Sequence, residues 1–167
     1  LGIATRICVR LTHDPPLVAT LLLDFLTIEE AAETVSAIIA AGILPADLEL
    51  MDQQVVAAVE PFAHAGYPMD AAAVLIVELD GLPAGIDDQV RRIDDLARSH
   101  GAREVRRAAD ADERERIWKG RKSAFGAIAN LKPDYYLNDT VIPRSRLAEV
   151  LAGIQEAVDR HDLLIMN

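Results

Sequence analysis

Residues 71–81 read AAAVLIVELDG. Ala73 to Leu79 is a Val/Ile-rich apolar run, and Asp80-Gly81 closes it with a turn signal. It is the strongest strand signal in the chain, and the neighbouring elements are read outward from it. Upstream, Leu48 to Met51 is a short strand, and Gln53 to Ala65 reads as a helix stopped by Gly66. Further back, Val18 to Phe25 is a strand. Thr27 then caps a helix, with Glu30 three residues on as its capping box. Ala31, Val35, Ile38 and Ile39 form that helix's apolar stripe, and Gly42 ends it. Residues 5–12 alternate loosely and stop at His13-Asp14-Pro15-Pro16, which predicts a strand paired antiparallel with Val18–Phe25 through a short Pro-containing loop.

Downstream, Asp87 to His100 carries a helical stripe of Val90, Ile93, Leu96 and Ala97, with Gly101 as the stop. Glu104 to Ala108 is a short strand. Asp110 and Glu113 form a second capping box, opening a helix expected to run to about Asn130. Pro133 to Ile142 reads as extended. Pro143 to His161 is a helix with Leu147, Val150, Leu151, Ile154 and Val158 inward, and Leu163 to Asn167 resembles the start of a buried strand. Hairpin-like and crossover connections mix, so the expected class is α+β, a mostly antiparallel sheet covered by helices.

The chain has 167 residues, a formal charge of −10 and one cysteine. The length suits one domain with its own core. The acidity disfavours nucleic acid and anionic membrane as partners, which reward clustered Lys and Arg. No apolar run is long enough to span a bilayer, and the N-terminus lacks a secretory pattern. Cys8 alone excludes an internal disulfide and fits a reducing, cytoplasmic setting. Its alternating context predicts a buried structural thiol. A start at Leu1 without Met, and an end in an apolar run, suggest a piece of a longer protein. GxGxxG and GxxxxGK[ST] are absent, so a self-contained nucleotide-binding fold is not expected. His13, His64, His100 and His161 show no metal-ligand spacing and read as structural or surface residues, and the acidic clusters read as solvated helix faces and caps.

Chemistry concentrates in residues 118–143, WKGRKSAFGAIANLKPDYYLNDTVIP. Ile117, Arg121, Ala124, Phe125 and Ile128 fall on one helical stripe, with Trp118 at its border. Arg121 thus sits on the face that packs, whereas Lys119 and Lys122 point away. A guanidinium there needs an anion. It could be a substrate carboxylate, gripped by the Arg fork, or an internal partner such as Asp139 or Glu78; snorkelling to solvent is a further reading. Tyr135 and Tyr136 either line a cleft or pack as strand aromatics, and Asn138 and Asp139 either orient a ligand or cap a turn.

The windows ERIWKGRKSAF (115–125) and PDYYLNDTVIPRSRL (133–147) resemble the C-terminal region of FAD-linked oxidases, the family of the bacterial glycolate oxidase flavoprotein subunit and D-lactate dehydrogenase. AAETVSAIIAAGILPADLELMD (31–52) and AGYPMDAAAVLIVELDG (65–81) resemble that family's cap domain, and LGIATRICVRL (1–11) the tail of its FAD domain. The resemblance implies that residues 1–167 are a ferredoxin-like substrate (cap) domain, with the FAD-binding domain and a His- and Gly-rich metal segment lying outside it. It implies oxidation of a small 2-hydroxy acid by hydride transfer to FAD, with a divalent metal and an iron–sulfur or other electron-transfer subunit as further components. Arg121 matches the arginine of a Trp-x-x-Arg that holds the substrate carboxylate, and Tyr136, Asn138 and Asp139 match a segment near the flavin edge. Some relatives acting on dicarboxylic hydroxy acids carry a Lys in the stretch matched by Leu137, so the neutral Leu137 leans towards a monocarboxylate such as glycolate or lactate. By the same reading the isolated chain is inactive. The rival reading is a free-standing α+β regulatory module that binds a small acid or a protein partner without catalysis.

Overall fold

A computed structural model describes residues 2–11, 13–131 and 134–167. Four strands, β1 (Leu17–Phe25), β2 (Asp47–Asp52), β3 (Ala73–Gly81) and β4 (Glu104–Arg107), form one antiparallel sheet in the order β2-β3-β1-β4. Helix α1 (Ile28–Ala40) follows β1, α2 (Gln53–Ala63) links β2 to β3, and α3 (Pro83–Ser99) links β3 to β4. After β4 come α4 (Ala111–Lys122), α5 (Ala124–Leu131), a 3₁₀ turn (Arg144–Arg146) and α6 (Leu147–His161). The order 4-1-3-2 arises from two interleaved split βαβ units, the ferredoxin-like arrangement. The expected α+β class with an antiparallel sheet is therefore correct.

Antiparallel pairing does not come from the hairpin expected at the N-terminus. Residues 5–11 form no strand and are exposed, and Thr12 lies outside the described residues. β1 instead pairs with β3 and β4, Leu23 facing Leu75 and Val105. Both edges of β1 are thereby occupied by strands far away in sequence, so no edge is left for the preceding segment. Cys8, expected to be buried, is exposed for the same reason.

The central strands are buried on both faces, which their nearly continuous apolar sequences require. Odd-numbered residues of β3 (Leu75, Val77, Leu79) and of β1 (Leu21, Leu23, Phe25) pack with Ile38, Ile86 and Ile93 beneath α1 and α3. Even-numbered residues (Val74, Ile76, Leu22) pack with Val55, Val56, Val59 and Ile117 beneath α2 and α4. Local signals start α1, α2 and α4 where expected, whereas α3, expected from Asp87, opens at Pro83, and α6, expected from Pro143, opens at Leu147 after the 3₁₀ turn. Thr27 and Glu30 form the capping box of α1. Asp110 accepts from the Glu113 N–H at 2.8 Å, while the Glu113 carboxylate accepts from the N–H of Ala109 at 2.7 Å. α2 ends two residues earlier than its periodicity suggested. His64 takes the left-handed conformation (φ 49°), and the Glu60 carboxylate gathers the N–H groups of Gly66 and Tyr67.

The helix expected from Asp110 to Asn130 is broken at Ser123. Ser123 Oγ donates to the Lys119 carbonyl at 2.7 Å, the same oxygen its backbone N–H reaches at 3.0 Å. Such back-bonding competes with the helix ladder and bends it. The break shifts the phase of the stripe: Ile117, Ala124 and Ala127 are buried, whereas Phe125, expected inward, is 52% exposed. Of the inward face expected for α6 only Leu151 is fully buried; Leu147, Val150, Ile154 and Val158 are half-buried. Leu163 and Leu164 are exposed and belong to no strand, although Met166 packs on the second core cluster and the Asp52 N–H donates to the Asn167 carbonyl at 2.9 Å.

α4 is pressed tightly onto the loop before β3. The Tyr67 hydroxyl donates to the Ile117 carbonyl, and burial pushes its pKa up. Gly120 allows this approach, because a Cβ there would lie 2.5 Å from the Tyr67 hydroxyl and 2.7 Å from Ala65 Cβ. Gly120→Ala is expected to lower unfolding stability by roughly 1–3 kcal/mol in urea titrations, the usual cost of overpacking. An unchanged midpoint would show that the helix is not held at this distance.

Candidate functional site

On the face covered by α4, the apolar rows of the sheet turn polar toward one end. Thr20 of β1 faces Glu78 of β3, and Glu78 faces Asp47 of β2. Glu49 lies one pleat further along β2, on the same face as Asp47 and Met51. Helix α4 crosses above these residues and presents Arg114, Trp118 and Arg121 at i, i+4 and i+7, one face of a helix. Carboxylates on the strands therefore meet guanidinium and indole donors on the helix.

Glu78 is 7% exposed and accepts four hydrogen bonds. Arg114 forks onto it through Nε at 2.9 Å and Nη2 at 2.7 Å, the Thr20 hydroxyl donates at 2.7 Å, and Trp118 Nε1 donates at 2.5 Å. Burial alone would push the Glu78 carboxyl up, but the donors from Arg114, Thr20 and Trp118 outweigh it and hold the carboxyl below the usual glutamate range. Arg114 is correspondingly raised, chiefly by its bonds to Glu78.

Arg121 is held differently. Its Nε and Nη2 both donate to one oxygen, Glu49 Oε2, at 3.1 and 3.0 Å. The two side chains are about one-third exposed, 31% and 35%. An exposed pair of this kind contributes about 0–1 kcal/mol, whereas breaking a pair that leaves a charge buried costs roughly 3–5 kcal/mol. Arg114 is thus tied to a nearly buried carboxylate, and the Arg121 pair, with a partly exposed carboxylate, is the weaker of the two. Among the described residues Arg121 Nη1 has no hydrogen-bond partner. An internal partner for Arg121 does exist, but it is Glu49. Neither sequence-stated candidate serves: Glu78 is occupied by Arg114 and Trp118, and no bond links Arg121 to Asp139.

These side chains line an open cleft of about 810 Å³, with Lys119 and Lys122 on its border. Both lysines are exposed, as their helical phase requires. The segment 134–143 carries no regular structure; Tyr135 and Tyr136 are 56% and 89% exposed. Leu137, Asn138 and Asp139 are also exposed and do not line this cleft. The Pro133 that was to open this segment lies outside the described residues, as does Lys132. Tyr136, Asn138 and Asp139 are thus solvent-facing and stand apart from the cleft. Among the described residues no cluster of three or more His, Cys, Asp or Glu could hold a metal, and no helix is long and apolar enough to cross a membrane. Sequence reasoning missed Arg114 and Glu49. The 114/118/121 spacing carried the signal for Arg114, but Glu49 is visible only once β2 lies beneath α4.

A ferredoxin-like sheet with helices on both faces and a carboxylate–guanidinium cleft on one of them defines the class of domain. The chain belongs to the family of FAD linked oxidases, C-terminal domain, which it matches over residues 14–167. It is 44% identical over all 167 residues to the glycolate oxidase subunit GlcD of Escherichia coli (strain K12), covering 34% of that protein. It is 36% identical to the glycolate oxidase subunit GlcD of Bacillus subtilis (strain 168), over 99% of the chain and 35% of that protein. A probable mitochondrial D-lactate dehydrogenase of Danio rerio is 28% identical over 90% of the chain and 30% of its own length. The chain therefore spans about a third of the curated relatives it matches. Among solved structures, an alkyldihydroxyacetonephosphate synthase shares the fold with a TM-score of 0.65 at 13% identity, over 90% of this chain and 32% of that one.

Glu78→Gln is expected to destabilise the domain by about 1–3 kcal/mol at neutral pH; Arg114, 43% exposed, can turn partly to water and reduces the full cost. Because the folded Glu78 pKa lies below its ordinary value of 4.5, its ionic contribution is present above that value and is lost as pH falls through the lowered one. The stability gap between wild type and Glu78→Gln should therefore narrow on acidification below pH 4.5. A gap that is constant from pH 7 to the acid limb would contradict the assignment.

Proposed function

We propose that this chain forms the substrate domain of an FAD-dependent oxidoreductase that oxidises a small 2-hydroxy acid of the glycolate or D-lactate type. The observation that carries the reading is the contrast between two arginines on one face of α4. Arg114 is locked onto buried Glu78, while Arg121, at the matching position of the Trp-x-x-Arg motif, opens into the cleft on a weak pair. In this role Arg121 grips the substrate carboxylate through paired N–H donors and sets the orientation of the carbon that bears the hydroxyl. Trp118, pinned by Glu78, holds the helical turn from which Arg121 projects. The names of the curated relatives, glycolate oxidase subunit and D-lactate dehydrogenase, support this substrate class.

FAD, held mainly by a domain beyond these residues, supplies the two-electron acceptor. Tyr136, Asn138 and Asp139 contact its edge from the exposed segment. A metal and a catalytic base belong to a separate His- and Gly-rich segment, and an iron–sulfur or other electron-transfer subunit receives the electrons. The neutral Leu137 suits a monocarboxylate. The setting is cytoplasmic.

Arg121→Ala in the complete flavoprotein is expected to lower kcat/KM for the 2-hydroxy acid by at least ~10-fold, with FAD content unchanged. Normal kinetics in that variant would overturn the assignment. The 167-residue chain expressed alone is expected to purify without flavin absorbance, and a yellow preparation would show that the cofactor is held here after all.

A further inference from the structure

We infer that Glu49 sets the anion selectivity of the cleft, by neutralising one edge of Arg121 and repelling any second carboxylate on a ligand. The inference rests on the reading of Arg121 as the carboxylate anchor. Glu49 Oε2 takes both the Nε and Nη2 bonds of Arg121, at 3.1 and 3.0 Å. That leaves Nη1 and the outer side of Nη2 as the edge facing an incoming carboxylate. A ligand bound there shares the guanidinium with Glu49, so two anions lie on opposite sides of one cation. For a monoanion the arrangement is tolerable, since the arginine separates the charges. A dianion brings a second charge into a cleft that also holds Asp47 and Glu115. Glu78 adds little to this field because Arg114 neutralises it at 2.7 Å. Asp47, Glu115, Lys119 and Lys122 are all exposed, so solvent screens them alike and their opposite charges offset one another. Glu49 is the acidic side chain in direct contact with the anchor, and like-charge juxtaposition of this kind works mainly through selectivity.

The test measures, in the complete flavoprotein at constant ionic strength, KM for glycolate (monoanion) and the inhibition constant of malonate (dianion). Calorimetric titration with malonate checks binding apart from turnover. Glu49→Gln keeps a carbonyl acceptor for Nε and Nη2 while removing the charge, so the geometry of Arg121 is retained. The expected result is glycolate binding tightened by about 3-fold and malonate binding by about 10-fold, since repulsion roughly doubles with ligand charge. The ratio of the two affinities is the decisive readout, because a structural disturbance would move both ligands alike. If Arg121→Met abolishes binding while Glu49→Gln leaves that ratio unchanged, the role of Glu49 is overturned and the anchor survives. If Arg121→Met binds glycolate as wild type does, the anchor itself falls, and the role of Glu49 with it. Absence of carboxylate binding by wild type and Glu49→Gln alike overturns both.

Discussion

The site depends on one buried carboxylate. Glu78 lies in the middle of the sheet, where its neighbours along β3 are apolar, and a bare charge there would be expelled or neutralised. Four donors from two elements make its ionised form tolerable: Thr20 from β1, and Arg114 and Trp118 from α4. The same bonds fix the height and rotation of α4 over the sheet. Tyr67 and Gly120 set its closeness from the other side. The position of Arg121 above β2 follows from those constraints.

A ferredoxin-like sheet places both of its crossover helices on one face. In this chain α1 and α3 cover that face, and α6 lies against α1. The opposite face would be open in the minimal fold. Here α2, inserted between β2 and β3, and α4–α5, added after β4, cover it. Apolar packing beneath α2 anchors this second layer. Toward the end covered by α4 the layer becomes polar, and the cleft opens there. The rigid part of the face thus carries the chemically variable part, an economical way to orient charged side chains without burying them all.

Local signals were legible wherever one short-range interaction dominates. The capping box at Thr27, the N-cap at Asp110 and the strand at Ala73–Leu79 could be read directly, because each depends on residues a few positions apart; Glu113 departs from the expected box by accepting from the Ala109 N–H instead. The errors occurred where distant partners decide. Residues 5–11 alternate like a strand, yet β3 and β4 take both edges of β1. Ser123 looked like one more helical residue, until its hydroxyl competed for the Lys119 carbonyl and turned Phe125 outward. Arg121 stood out from its stripe, and the question it raised about a partner was sound. Its partner Glu49 lies 72 positions away, and no periodicity reports such a contact.

The amino-acid pattern alone carries the α+β class, the starts of α1, α2 and α4, and the presence of an arginine on a packing face that needs an anion. Hydrophobic periodicity and capping chemistry are properties of neighbouring residues, so they survive without coordinates. How firmly each arginine is held depends on the fold. Arg114 and Arg121 are chemically identical and sit on the same face of α4. One meets a nearly buried glutamate on a central strand, whose charge depends on the donors around it. The other meets a glutamate about one-third exposed on an edge strand, where solvent weakens the pair.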